Sequence, residues 1–168
     1  MNKLSVAFAA VIVAAVVPAH SAPQTPLNRA TPTPSIAFSS LTSIYFASGV
    51  LDSGHPANEG NATVVHCSNI SGVSTQLRLL FFSPTGVILG NHVVTLLNVH
   101  TYTASTHGVN VFGDTAVNTG PIVQGLLAVQ TTQSAVFCTA MVVDAAAAVP
   151  NGIDLHMVRF NEHPGVVE

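Results

Sequence analysis

The amino-acid sequence predicts an all-β protein, a single antiparallel β-sandwich of about seven to eight strands with one disulfide. From residue 41 onward, short apolar runs rich in Val, Ile, Phe and Thr alternate with clusters of Gly, Asn, Ser and Pro, about every ten residues. β-branched residues dominate most runs, and no 3.6-residue stripe persists, which disfavours helices. Two cysteines in an exported chain supply the disulfide.

The first element is a signal peptide over residues 1–21. Lys3 provides a positive start, and residues 4–17 form an apolar run interrupted only by a serine. Small residues at the minus-three and minus-one sites favour cleavage after Ser21, whereas cleavage after Ala22 is disfavoured because a proline follows it. We therefore expect an exported protein, either periplasmic or extracellular.

The second element is a Pro/Thr/Ser-rich leader over residues 22–40. Proline removes backbone hydrogen-bond donors and fixes φ, so we expect this leader to be extended, exposed and poorly ordered. The β-sandwich domain then occupies residues 41–168. A chain of this length is typical of one domain with a substantial core.

The remaining elements are strands and their connections. Eight runs read as strands, namely 43–50, 62–67, 75–82, 87–97, 100–105, 122–131, 135–144 and 155–161. The Ser-Pro-Thr-Gly sequence at 83–86 predicts a type I turn that closes a hairpin. A second tight connection at 132–134 predicts that the strands on either side of it are neighbours. Residues 145–149 are alanine-rich enough for one helical turn.

Cys67 and Cys138 are expected to form an intramolecular disulfide, because an even cysteine count in an oxidising compartment favours pairing. The closed loop of about 70 residues implies a stabilisation of about 4 kcal/mol. Two buried free thiols are the alternative. Neither cysteine lies in a C-x-x-C pair, which disfavours catalytic or metal-binding thiols.

The strand at 135–144 is apolar on both faces. Alternation places Cys138 on one face and Phe137, Met141 and Val143 on the other. A strand of this kind is either central in a covered sheet or part of an apolar contact surface. We expect a loop or the C-terminal segment to lie over it.

Four short segments carry a resemblance to a known group: 67–69, 83–86, 138–144 and 158–161. Together they resemble a group of small exported bacterial β-sandwich proteins of unknown function. The resemblance covers the chain from about residue 41 to its C-terminus. It agrees with the expected strand count and implies no activity.

The charge pattern limits the possible partners. Only 7% of residues are charged, the formal net charge is −3, and the basic residues beyond the signal peptide are Arg29, Arg78 and Arg159. Nucleic-acid binding requires clustered Lys and Arg, so we expect none. No second apolar run reaches the roughly 18 residues needed for a membrane span, so no transmembrane segment is expected in the mature form. Low charge instead favours self-association or docking on an envelope protein.

The histidines are the most notable candidate ligands. Eight are present, and one of them, His20, lies in the signal peptide. No pair stands at H-x-H or H-E-x-x-H spacing, so a metal site is not expected, although His100, His107 and Asp114 are the best candidate donors. Protonation of these histidines near pH 6.5 also raises the hypothesis of a pH response.

No motif indicates an enzyme. The chain lacks a G-x-S-x-G elbow, and its seven acidic residues are scattered, so neither a hydrolase nor a glycosidase is indicated and no cofactor is expected. Arg78 and Arg159 interrupt apolar runs and are expected either to pair with an acid such as Asp144 or Asp154 or to extend toward the sheet edge.

The sequence therefore favours a non-catalytic exported β-sandwich that acts as a binding or structural module at the cell envelope. The alternative is a small-molecule or metal-binding module that uses the histidine-bearing loops. A hydrolase is the third hypothesis.

Overall fold

The computed structural model describes residues 37–160 as ten strands and no helix. The predicted signal peptide with Ser21 and Ala22, and most of the predicted leader, lie outside the described residues. The strands are β1 (Ala37–Asp52), β2 (Asn61–Asn69), β3 (Thr75–Phe82), β4 (Ile88–Leu96), β5 (Thr101–Ser105), β6 (Thr115–Ala116), β7 (Ile122–Gln133), β8 (Val136–Asp144), β9 (Gly152–Leu155) and β10 (Met157–Arg159). β1 therefore begins inside the segment expected to be leader.

The strands form two five-stranded sheets. The first sheet has the order β10-β1-β7-β3-β4, and the second has the order β6-β5-β2-β8-β9. All pairings are antiparallel except that of β5 with β6. In the described part of the chain, no helix is long and apolar enough to cross a membrane.

The two sheets share one hydrophobic core, which packs them face to face. Leu79, Phe81 and Leu127 from the first sheet are fully buried with Val65 and Cys67 from the second. Fully burying one such apolar side chain contributes roughly 1.5–3 kcal/mol, so this shared core is the main stabilising element.

Two polar contacts fix the sheets relative to each other. The Tyr45 hydroxyl on β1 donates to the Val136 carbonyl on β8 at 3.2 Å. The Thr63 hydroxyl on β2 donates to the Leu51 carbonyl at 2.8 Å and accepts from the Leu51 N–H at 2.9 Å. Each bond joins the first sheet to the second within the buried layer.

The expected count of seven to eight strands was too low. β6 has only two residues, too few to leave a periodic pattern in the sequence. The run at 155–161 was expected to form one strand, but the chain leaves the second sheet at Leu155 and enters the first at Met157. The expected helical turn at 145–149 is a hydrogen-bonded turn, in which the Ala147 N–H donates to the Asp144 carbonyl at 3.1 Å.

The prediction that the strands flanking 132–134 are neighbours was wrong. β7 lies in the first sheet and β8 in the second. Both edges of β7 are already occupied, by β1 and β3, so the chain turns a corner between the sheets. The Ile70 N–H donates to the Ala135 carbonyl at 3.0 Å at this corner.

The hairpin predicted at 83–86 is confirmed. The Gly86 N–H donates to the Ser83 carbonyl at 3.0 Å, and Gly86 has a φ of +84°. A left-handed residue after a type I turn is the arrangement that closes a three-residue hairpin loop, and glycine adopts it without steric cost. This turn sets the register of β3 against β4.

The predicted disulfide between Cys67 and Cys138 is confirmed, and neither residue is a free thiol. The two residues lie directly opposite each other on β2 and β8, with a Cα–Cα distance of 4.2 Å. The bond therefore joins adjacent strands of the second sheet and does not link the two sheets.

Residues 106–114, which we call the cover segment, lie over the outer face of the second sheet. Val109 packs there in a second buried cluster with Ala62, Val64 and Val143. The Asn110 N–H donates to the Ala145 carbonyl at 3.0 Å and fixes the segment in place. The expectation that a loop covers this face of β8 is confirmed for Met141 and Val143, while Phe137 stays half exposed.

Candidate functional site

A buried carboxylate–imidazole pair lies where β1 ends and the cover segment begins. Asp52 is 2% exposed and His107 is 6% exposed. The His107 Nδ1 lies 2.9 Å from the Asp52 Oδ2. This is the one ion pair among residues 37–160.

Every polar atom of the pair has a partner. The Asp52 Oδ1 accepts from the Gly54 N–H at 2.7 Å, and its Oδ2 accepts from the Thr119 hydroxyl at 3.4 Å. The His107 Nε2 lies 2.9 Å from the Glu59 carbonyl. Because both ring nitrogens face acceptors, only the imidazolium form donates both hydrogen bonds.

The pairing of β1 with β7 is irregular beside Asp52. The register between β1 and β7 shifts between Val50 and Asp52, where β7 has a bulge with Gln124 at a φ of +58°. Gly125 completes the bulge, since a Cβ there would lie 2.5 Å from the Phe82 carbonyl oxygen. The bulge therefore depends on glycine at this position.

A cavity of about 290 Å³ lies beside this pair. Its lining residues are Asp52, Gly54, His55, His107, Asn118 and Gly120. A serine hydrolase would need an imidazole nitrogen free to accept a proton from a nucleophile. Here the Nε2 of His107 is held by the Glu59 carbonyl, so the pair is built to join segments of the chain.

The structure does not bring the three candidate metal donors together. The His100 Nδ1 lies 2.9 Å from the Asn98 carbonyl oxygen, and Asp114 accepts a hydrogen bond from the Ser105 hydroxyl. β5 separates His100 from His107 by a distance on the order of 20 Å. Within residues 37–160 no group of three His, Cys, Asp or Glu side chains could hold a metal ion.

A second cavity, of about 570 Å³, lies beside β8 and the β9–β10 junction. It is lined by residues 138–141 and 154–157, which include two methionines and His156. Met141 packs under the cover segment and Met157 packs against the main core, so the two thioethers serve different clusters. The cavity is therefore a cleft where the chain passes from the second sheet to the first.

The fold changes the titration of His66. Burial under the cover segment lowers its pKa from the ordinary value of 6.5. Its ring packs edge-on against Phe112 at 4.6 Å between centroids, and its Nδ1 lies 2.9 Å from the Thr103 hydroxyl. A charged imidazole at this position would lose hydration.

The lowered pKa of His66 predicts a loss of stability in acid. Below pH 6.5 the unfolded chain binds a proton at His66 that the folded chain does not bind, so the free energy of unfolding falls as the pH drops from 6.5 through the folded pKa. We expect His66→Gln to reduce the difference in unfolding free energy between pH 7.5 and pH 5, measured by urea denaturation. His100→Gln, at an exposed position, is the matched control. An unchanged pH dependence in His66→Gln would contradict this assignment.

The outer face of the first sheet carries two apolar rows, which together we call the apolar face. Cross-strand partners place the first row as Val158, Phe46, Ala128, Leu80 and Asn91. The second row is Ser48, Leu126, Phe82 and Ile88. Their sequence neighbours on the opposite face, such as Ala47 and Leu127, lie in the buried core.

The apolar face is open to solvent at its two ends and buried at its centre, where Leu80 is 6% exposed and Ala128 is 3% exposed. Val158 is 54% exposed and Ile88 is 52% exposed, at opposite ends of the face. Phe160 is 51% exposed and its ring contacts Phe46 edge-on at 5.8 Å. No segment among residues 37–160 covers this face as the cover segment covers the second sheet.

Asp144 and Asp154 are not paired with the two strand arginines, each of which donates to a neutral oxygen. The Arg78 Nε donates to the Asn91 Oδ1 at 2.9 Å. Arg159 donates to the Ser134 carbonyl at 3.0 Å, and its guanidinium lies 5.8 Å from the centre of the Tyr45 ring. The described strands therefore place one charged side chain, Arg78, on the outer face of the first sheet.

Sequence reasoning missed both the Asp52 pair and the apolar face. Asp52 and His107 are 55 positions apart, and no motif spacing connects them. Alternation indicates that Phe46, Leu80 and Leu126 lie on the face of their strands opposite the core. It does not indicate that these strands are neighbours. Strand order supplies that information.

Comparison with known proteins gives little further guidance. No family model matches the chain, and no curated protein matches it. Among solved structures, it is similar to the protein described as Thermotoga maritima 1070, with a TM-score of 0.39 and 12% identity, over 73% of this chain and 94% of that chain. Similarity at this level supports no functional conclusion.

Proposed function

We propose that this chain is an exported, non-catalytic β-sandwich module that binds a protein partner at the cell envelope through the apolar face. The observation that carries the proposal is the difference between the two outer faces. The second sheet is covered by the chain's own residues 106–114, whereas Val158, Leu126 and Ile88 are exposed on the first. Exposed apolar patches of this kind mark interaction sites.

The composition of the face favours a protein partner. Apolar and aromatic side chains occupy its centre, and Arg78, Asn91 and Gln130 lie toward one border. An apolar centre with a polar border is the usual organisation of a protein–protein interface. Arg78 is its only charge in the described strands, which makes a nucleic acid a poor partner.

Two features support the exported, non-catalytic part of the proposal. The Cys67–Cys138 disulfide suits an oxidising compartment, as the predicted signal peptide requires. In the one buried His–Asp pair among the described residues, both imidazole nitrogens lie at hydrogen-bond distance from oxygen atoms of the protein. The cavity beside that pair keeps a small polar ligand as the second candidate, with the exposed His55 at its rim.

Site-specific photo-cross-linking in the native host tests this function. We expect a photo-reactive phenylalanine at Leu126 to give a covalent adduct of one defined mass, because Leu126 lies within the apolar face. The matched control is the same residue at Val149, which is more exposed but lies away from both sheets. Adducts at Val149 equal to those at Leu126, or none at either position, would contradict a binding role for this face.

A further inference from the structure

One edge of the first sheet is formed by the long strand β4, whose outer side has no paired strand. β4 spans nine residues and pairs on one side only, with β3. It contains no proline and no charged residue, the two devices by which proteins normally block an edge strand. Its one titratable side chain, His92, turns inward, where its ring stacks on that of Tyr102 and its Nε2 lies 2.5 Å from the Tyr102 hydroxyl oxygen.

The other three edges differ from β4 in length and charge. β10 has three residues and contains Arg159. β9 has four residues and contains Asp154, and β6 has two residues. Each of these edges is too short to accept an added strand over more than one or two hydrogen-bonded pairs. β4 is therefore the longest of the four edge strands of the described sheets. β1 is also unpaired on its β10 side outside residues 45–47.

The side chains of β4 are self-complementary in one antiparallel register. With a two-fold axis at Val93, each Asn91 lies opposite a Thr95 of the other copy, and Val93 lies opposite itself. All three are exposed on the outer face, and Val93 is 48% exposed. Polar side chains then meet polar side chains at both ends, with an apolar pair in the centre.

We propose that a second copy of this chain pairs with β4, edge to edge and antiparallel about Val93, so that the two first sheets form one continuous sheet. The absence of charge along β4 means that no like charges meet in this pairing. The low net charge of −3 opposes association only weakly. This pairing is independent of the partner of the apolar face, and it would place the two apolar faces side by side on one surface.

Sedimentation velocity of the mature chain over a concentration series tests the pairing. We expect a reversible dimer, because a single strand pair is a narrow interface. Val93→Lys places two lysines opposite each other and is expected to raise the dimer dissociation constant about tenfold. Val149→Lys is the matched control and should leave the constant unchanged. A monomer at millimolar concentration, or a dimer insensitive to Val93→Lys, would overturn the proposal.

Spin labelling tests the register directly. The native cysteines are both in the disulfide, so a nitroxide can be attached to Val93→Cys alone. Strong dipolar broadening is expected for Val93→Cys and not for Val158→Cys, which lies on the opposite edge of the sheet. Equal spectra for the two labels would reject this register.

A further variant separates this proposal from the proposed function. Leu126→Lys is expected to abolish partner binding at the apolar face while leaving the dimer dissociation constant unchanged. Loss of the dimer in Leu126→Lys would place the contact between copies on the apolar face and overturn edge pairing. If an extended segment of another protein cross-links at Val93 while the mature chain stays monomeric, the edge has a different occupant and the proposal fails.

Discussion

Replacing Asp52 with alanine is expected to lower the free energy of unfolding by about 2 to 4 kcal/mol, since each buried donor left without an acceptor costs about 1 to 3 kcal/mol. Asp52 is 2% exposed and accepts hydrogen bonds from His107, Thr119 and the Gly54 N–H. The variant leaves the Gly54 N–H and the His107 Nδ1 without their acceptor, whereas the Thr119 hydroxyl keeps the Gly120 carbonyl at 3.0 Å. Urea denaturation at neutral pH measures the effect.

Two further variants define the origin of this loss. His55→Ala removes an exposed imidazole from the rim of the same cavity and is expected to change the free energy of unfolding by less than about 0.5 kcal/mol. The double variant Asp52→Ala/His107→Ala should lose less than the sum of the single losses, because both residues act through one contact. Additive losses, or a loss below 1 kcal/mol for Asp52→Ala, would show that the pair does not stabilise the fold.

Removing the disulfide is the second large effect that we expect. Cys67→Ala/Cys138→Ala should lower the free energy of unfolding by about 4 kcal/mol, since the unfolded chain regains the freedom of a loop of about 70 residues. The native cost is small, because two alanines opposite each other fit the β2–β8 ladder. Thermal and denaturant unfolding of oxidised wild type and the double variant measure the difference.

Reduced wild-type protein is the matched control for the disulfide. It keeps both sulfur atoms and therefore separates the cross-link from the packing of the side chains. We expect the reduced protein and the double variant to agree within about 1 kcal/mol, the difference that two buried thiols can make. If reduction leaves the unfolding midpoint unchanged, the chain-entropy account of this bond fails.

The sequence predicted the individual strands well because their signals are local. The run at 75–82 matches β3 residue for residue, since the turn at Ser83 ends it sharply. Alternation likewise separated Cys138 from Met141 and Val143, and the structure places Cys138 in the main core and the other two under the cover segment. Hydrophobic periodicity and turn chemistry depend only on neighbouring residues.

The arrangement of the strands depends on distant residues and could not be predicted. The connection between β7 and β8 is as short as that of a hairpin, yet it joins different sheets because β1 and β3 occupy both edges of β7. The candidate site also depends on residues that are distant in sequence. Asp52 meets His107 only because β1 of the first sheet ends where the cover segment of the second sheet begins.

The cover segment, residues 106–114, limits how many surfaces of this protein are available for contact with other molecules. Under the proposed edge pairing, an intact segment leaves one broad apolar surface and one open sheet edge for contact, so assembly is expected to stop at small, closed sizes. A variant with those residues shortened is expected to expose apolar side chains on opposite sides of each copy, which favours growth into open-ended fibres.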